Sequence, residues 1–203
     1  MLTIHGVGRS RAFRCIWTAE EAGIPYEHVP TRVGPEAKAP AHLAINPNGK
    51  LPGMTDGALN LFESLAINLH IAGKAGAPLM PEAGDDAART LQWTLWTATE
   101  AEPHAMAWRN HAVSLPAAER DPAVAEAAKA ALHQRLGVLE AQLADRPWLL
   151  GRDFTVADCN LAGVLYVLWF NRFDLGAFPR VAAWLEACLT RPAALKARRL
   201  RED

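Results

Sequence analysis

The chain changes character once, near residue 80, and that change commits it to a fold of two unlike parts. Residues 1–75 hold short apolar segments separated by Gly, Pro and Asn turn signals. Beyond Pro81 the apolar residues fall at helical spacing in long Ala-, Leu- and Trp-rich stretches. Six of the seven tryptophans (Trp93, Trp96, Trp108, Trp148, Trp169 and Trp184) lie after the change. Residues 73–84 between the parts carry Gly and Pro in linker proportions. A mixed α/β domain over residues 1–75 and an all-helical domain over residues 85–203 are therefore expected.

In the first part, residues 2–7 read as a strand ended by Gly6 and Gly8. Residues 11–22 read as a helix with Phe13, Ile16, Trp17 and Ala19 on one face and Gly23 as its stop. A second strand is expected over 26–33. After the Asn46-Pro47-Asn48-Gly49 turn, segments 51–55 and 58–62 flank the hairpin signal Asp56-Gly57. Glu63-Ser64 then opens a helical stretch over 65–71. In the second part, residues 87–108 form an amphipathic segment with Leu91, Leu95 and Trp96 on one side and Pro103 as an interruption. Residues 121–143 place Leu132, Leu136, Leu139 and Leu143 on one stripe. Residues 158–170 are apolar nearly all round, as a helix in the middle of a bundle would be. A further helix covers 181–189, and the basic tail (Lys196, Arg198, Arg199, Arg201) reads as a helix C-terminus complementing the dipole.

Composition narrows the function classes. With 21 Lys+Arg against 22 Asp+Glu in 203 residues the formal net charge is −1, which argues against nucleic acid or an anionic membrane as the main partner. The longest apolar run, residues 161–170, is about half of a membrane span. The first residues lack a basic-then-apolar leader, so a cytoplasmic protein is expected. Three widely spaced cysteines make neither a disulfide framework nor a metal pattern, and there is no Cys-x-x-Cys. The seven histidines are scattered, so no metal is expected.

Four stretches carry chemistry. They are Ser10-Arg-Ala-Phe-Arg-Cys15 with the helix it opens, Asn46-Pro-Asn-Gly-Lys-Leu-Pro52, Glu63-Ser64-Leu-Ala-Ile67, and Phe154-Thr-Val-Ala-Asp158. In this order and spacing the chain resembles the cytosolic-type bacterial glutathione S-transferase family. The resemblance implies a thioredoxin-like α/β N-terminal domain and an all-α helical-bundle C-terminal domain. It also implies glutathione as co-substrate, a small electrophile as second substrate, and a homodimer.

Each residue has a plain structural reading beside the one implied. Ser10, between strand and helix, is a natural helix N-cap; by resemblance its hydroxyl stabilises the glutathione thiolate. A free thiol has a pKa of about 8.5, and lowering it by about 2 units takes about 2.7 kcal/mol. A hydrogen bond to a charged acceptor supplies about 1.5–3 kcal/mol, so the magnitudes match. Arg11 is a neighbouring cation that would act in the same direction, and Arg9 stands where some relatives have the serine. Leu51-Pro52 is implied to be a cis bond, with Leu51 offering its backbone to the cysteinyl part. Lys50 is implied to meet the glycine carboxylate. Glu63-Ser64 caps a helix, and by resemblance Ser64 takes the γ-glutamyl carboxylate while Glu63 lies near the ammonium. His104 and Trp108 are implied to line the acceptor-substrate pocket. Thr155 and Asp158 form a capping box, read as structural.

Tyrosine is absent from the loop around Ser10, Cys15 is expected to pack inward, and the Ser-Ser-Cys loop of zeta-type isomerases is missing. Glutathione-dependent peroxide reduction or dehalogenation stays open as another reaction of the same thiolate. A catalytically silent module that binds ligands or partner proteins stays open as a different class.

Overall fold

Leu2 and Ile4 are buried while Thr3 and His5 are half-covered, the alternation of a strand with one face on a core. In the computed structural model, which describes residues 1–202, Leu2–His5 (β1) pairs in parallel with Tyr26–Val29 (β2), Leu2 opposite Tyr26. A parallel pair needs a crossover, and Ala12–Ala22 (α1) supplies it. On its other edge β1 runs antiparallel to Gly53–Asp56 (β3), which returns through Gly57 as Leu59–Phe62 (β4). The sheet order is β2-β1-β3-β4, the thioredoxin-like arrangement expected. The first two strands are shorter than expected. Beyond His5, Gly6 takes φ +139 and its N–H bonds Val29 O, and the second strand stops at Pro30.

Helix α1 ends where Gly23 adopts a left-handed conformation and returns its N–H to the last turn. It packs against Ser64–Ala75 (α3). Between β2 and β3 lie a single 3-10 turn, Glu36–Lys38, and the short Pro40–Leu43 (α2). Phe13, Ile16, Trp17, Met54, Ile67 and Ile71 fill the core of this unit. At the hairpin, Asp56 accepts hydrogen bonds from Lys74 and, at 3.0 Å, from His70 Nε2, both on α3. Lys74 first and His70 second hold its carboxyl down at about 2, against an ordinary 3.8. A depressed carboxylate stabilises the fold above its unfolded pKa and loses that contribution as pH falls. The melting temperature of Asp56→Asn is therefore expected to lie below that of the wild type at neutral pH, with the gap closing between about pH 4 and pH 2. A gap constant over that range would remove the assignment.

The second unit, Ala83–Leu189, is helical. It comprises Gly84–Trp96 (α4), Glu102–Arg109 (α5), Pro122–Gln142 (α6), Val156–Phe170 (α7) and Pro179–Leu189 (α8). The interruption expected at Pro103 within 87–108 takes the form of a π-helical turn, Thr97–Ala101, just before it; a second one, Asn110–Ser114, follows α5. Proline lacks an N–H and crowds the preceding turn, so the ladder widens there. The buried face of α4 also differs from expectation. Leu91 and Leu95 are 50% and 65% exposed, while Thr90, Trp93, Thr94 and Thr97 face inward. Thr90 and Thr97 return their hydroxyls to the carbonyls of Asp86 and Trp93, and Thr94 accepts from Asn160 of α7. A threonine face satisfied in this way buries as readily as an apolar one. As expected, α7 is buried along nearly its whole length.

One boundary is corrected. The helical domain expected to run to residue 203 closes at Leu189, and Pro192–Glu202 (α9) belongs to the first unit. Long-range ion pairs are the reason. Arg191 grips Glu21 with two 2.8 Å hydrogen bonds, and Lys196 reaches Glu20 at 2.7 Å. Of the basic tail, Lys196 is thus partnered by the acidic end of α1 and Arg198 by Glu202 within α9.

Candidate functional site

The loop from Asn46 to Pro52 is built around one buried side chain. Asn46, 3% exposed, donates through Nδ2 to Lys50 O at 2.8 Å and Pro52 O at 3.1 Å. Its Oδ1 accepts from the backbone and side-chain nitrogens of Asn48. His42 Nε2 donates a second hydrogen bond to Lys50 O at 2.9 Å. The Lys50 carbonyl is thereby pinned, and its exposed side chain stands out from the loop. Leu51-Pro52 is cis, as the resemblance implied.

Across from this loop α3 begins. Glu63 sits at its N-cap with φ 69 and ψ 109, a left-handed-side conformation that costs a non-glycine residue about 1–3 kcal/mol. Such a conformation persists where the surroundings over-determine it, and the Glu63 side chain makes no capping hydrogen bond to α3. Ser64 is 3% exposed, and its Oγ accepts from Arg14 Nη1 at 3.3 Å. Accepting from Arg14 leaves the Ser64 proton to donate elsewhere. Arg11, Asn46, Asn48, Lys50, Leu51, Pro52, Glu63 and Ser64 line one small cavity. Lys50, Leu51, Pro52, Glu63 and Ser64, five of the residues singled out in the sequence, are therefore together.

Ser10 enters beside Leu51. A Cβ placed on Gly6 would lie 3.2 Å from Ser10 Oγ and 3.4 Å from Leu51 Cβ, so the two flank the same point. The Ser10 hydroxyl donates to Val7 O at 2.7 Å and accepts from Ala12 N–H at 3.1 Å, closing the entry to α1. Both readings of Ser10 thus share one location. Cys15 packs inward, fully buried, with Sγ donating to Ser64 O at 3.6 Å; burial pushes its thiol far above the ordinary value. It is a structural cysteine.

His104 and Trp108 lie on α5 in the helical unit, both half-buried. Trp108 meets Phe173 edge to face, centroids 4.8 Å apart, so it takes part in the packing of that unit. Among the described residues no group of three His, Cys, Asp or Glu could hold a metal, and no helix is long and apolar enough to cross a membrane.

Three participants escaped the sequence reading. Arg14 is 4% exposed although arginine favours the surface; its placement at i+4 from Ser10, on the face of α1 turned toward α3, was the available signal. Asn46 read only as a turn residue. Lys38 donates to Asn48 O at 3.1 Å, setting a second ammonium beside the Lys50 turn. The arrangement as a whole offers cations at one end and a helix N-terminus with a hydroxyl at the other. It suits an extended ligand with a carboxylate at each end.

Residues 3–73 match the glutathione S-transferase N-terminal domain and residues 105–192 the C-terminal domain. Glutathione S-transferase 4 of Zea mays is 35% identical over 90% of this chain and 85% of its own. The disulfide-bond oxidoreductase YfcG of Escherichia coli is 32% identical over 86% and 83%. The crystal structure of a theta class glutathione S-transferase from Xanthomonas axonopodis pv. citri, with glutathione bound, superposes with a TM-score of 0.87 at 33% identity over 97% of this chain and 96% of that one. Most of the curated relatives are plant proteins, so the bacterial qualifier of the resemblance gains no support, and the chain belongs to the glutathione S-transferase family.

Proposed function

We propose that the protein is a glutathione transferase that holds glutathione in its first unit and favours the thiolate for attack on a small, hydrophobic electrophile. The observation that carries this is the convergence of Lys50, Leu51 beside the cis Pro52, Glu63 and Ser64 on one cavity. Lys50, with Lys38 behind the same turn, meets the glycine carboxylate. Leu51 pairs its backbone with the cysteinyl residue. Ser64 and the N-terminus of α3 take the γ-glutamyl carboxylate, and Glu63 faces the ammonium. A tripeptide fixed at both ends has its sulfur placed for in-line attack, so binding supplies the orientation the reaction needs.

Ser10 supplies the thiolate stabilisation. Its proton turns from Val7 O to the sulfur, while the Ala12 N–H keeps the oxygen in place. His104 and Trp108 line the acceptor pocket. The protein works in the cytoplasm as a homodimer without a metal; the exposed Leu91 and Leu95 give α4 an apolar face suited to a second copy.

The test is the ultraviolet thiolate absorbance of bound glutathione against pH. The wild type is expected to show a thiol pKa about 2 units below that of the free thiol, and Ser10→Ala to raise it by at least 1 unit. Depression kept in the variant would move the role to Arg11 or to backbone N–H groups. Absence of bound thiolate in the wild type would leave the silent binding module. The similarity to YfcG favours one second reading, in which the same thiolate attacks a mixed disulfide; turnover of disulfides without turnover of aryl halides would select it.

A further inference from the structure

We propose that Arg201, on the last turn of α9, is a positioning residue for Ser10. Arg201 Nη1 donates to the carbonyls of Gly8 at 3.2 Å and Ser10 at 3.0 Å, bridging the loop that carries the hydroxyl. Its guanidinium lies 5.4 Å from the centroid of the Phe13 ring, so the side chain is held on two sides. The same loop touches α9 through its backbone. A Cβ on Gly8 would stand 2.0 Å from Leu200 O, a closeness only glycine permits. Helix α9 is itself anchored on α1 by the Arg191–Glu21 and Lys196–Glu20 pairs and by the buried Ala194 and Ala197. The Glu21 carboxylate is only 7% exposed, so its bidentate pair is shielded from solvent in a way a surface pair is not.

The physical role follows from what the loop lacks. Between the end of β1 and the start of α1, residues 6–11 belong to no helix or strand. Gly6 and Val7 are tied to the β2 side by their N–H groups on Val29 O and Thr31 O and by His28 Nε2 on Gly6 O, whereas Ser10 is held locally, by its bonds to Val7 O and from Ala12 N–H. A hydroxyl that must aim its proton within a few tenths of an ångström needs its backbone fixed from outside. Arg201 does this by donating from one nitrogen, Nη1, to two carbonyls at once while its planar guanidinium lies against Phe13.

The inference rests on the transferase reading and is tested alongside it. In Arg201→Ala the pKa of bound glutathione is expected to rise by about 1 unit, about a fivefold loss of thiolate at the wild-type midpoint. Affinity for S-methylglutathione, which uses the Lys50 and Ser64 ends but has no thiol, is expected to stay within about twofold. Gly8→Ala, which drives the loop off Leu200, is expected to reproduce the effect, and Arg201→Lys to recover part of it. Amide exchange at Ser10 and Ala12 should accelerate at least tenfold in Arg201→Ala. A wild-type thiolate pKa in Arg201→Ala overturns the proposal. So does a parallel loss of S-methylglutathione affinity, which would mark a general structural role. A wild type without bound thiolate overturns the transferase reading itself, and the proposal with it.

Discussion

Replacing Asp158 by alanine is expected to cost the fold about 3–5 kcal/mol, the largest stability effect of any single substitution on a polar residue here. Asp158 is fully buried in the first turn of α7. Its Oδ1 accepts from Leu149 N–H at 2.9 Å and from Trp184 Nε1 at 2.9 Å; its Oδ2 accepts from Thr155 N–H at 3.0 Å and Thr155 Oγ1 at 3.2 Å. Burial raises its carboxyl above the ordinary value, opposed by these same hydrogen bonds. Removing the carboxylate strands buried donors on three residues, each worth about 1–3 kcal/mol when unsatisfied, and partial relaxation brings the sum down. A capping interaction alone would cost about 1 kcal/mol. The excess over that figure measures how far Asp158 ties the 149–151 turn and α8 to α7. Asp158→Asn keeps the shape but aims an N–H₂ at donors, so it is expected to recover less than half of the loss. Urea unfolding of both variants checks this; a cost near 1 kcal/mol for alanine would reduce Asp158 to a simple cap.

Features fixed by neighbours in sequence were legible, and those fixed by partners far away were not. The hairpin at Asp56-Gly57, the Gly23 stop, the Thr155–Asp158 capping box and the stripe from Leu132 to Leu139 each depend on a few adjacent residues. The placement of α9 depends on Glu20 and Glu21 meeting Lys196 and Arg191 about 170 residues later, and no local pattern encodes that. The inward face of α4 was misread for a related reason. Its threonines looked polar by composition, but their hydroxyls bond within the helix and to Asn160, and so they bury. Within the site, Lys50, Leu51, Pro52, Glu63 and Ser64 stood out because each lies in a short motif. Arg14 did not, because a buried guanidinium is defined by what it meets, and it meets Ser64 fifty positions away.

That contact yields the second large effect, on binding. Ser64→Ala is expected to weaken glutathione binding by about 10- to 150-fold, the equivalent of one charge-assisted hydrogen bond of about 1.5–3 kcal/mol. Arg14 acts through the same serine. By donating to Ser64 Oγ it leaves the hydroxyl proton to donate elsewhere, and on the proposed reading its charge would lie behind the carboxylate that Ser64 takes. Arg14→Gln is therefore expected to lose about tenfold in affinity, and the double variant to bind no worse than Ser64→Ala alone. Calorimetry with glutathione and with an analogue lacking the γ-glutamyl α-carboxylate separates recognition from folding. All four proteins should bind the analogue alike, because the group that Arg14 and Ser64 serve is then missing. Full additivity of the two substitutions would show that Arg14 contributes by a route independent of Ser64. Unchanged glutathione affinity in Ser64→Ala would move the carboxylate away from α3 altogether.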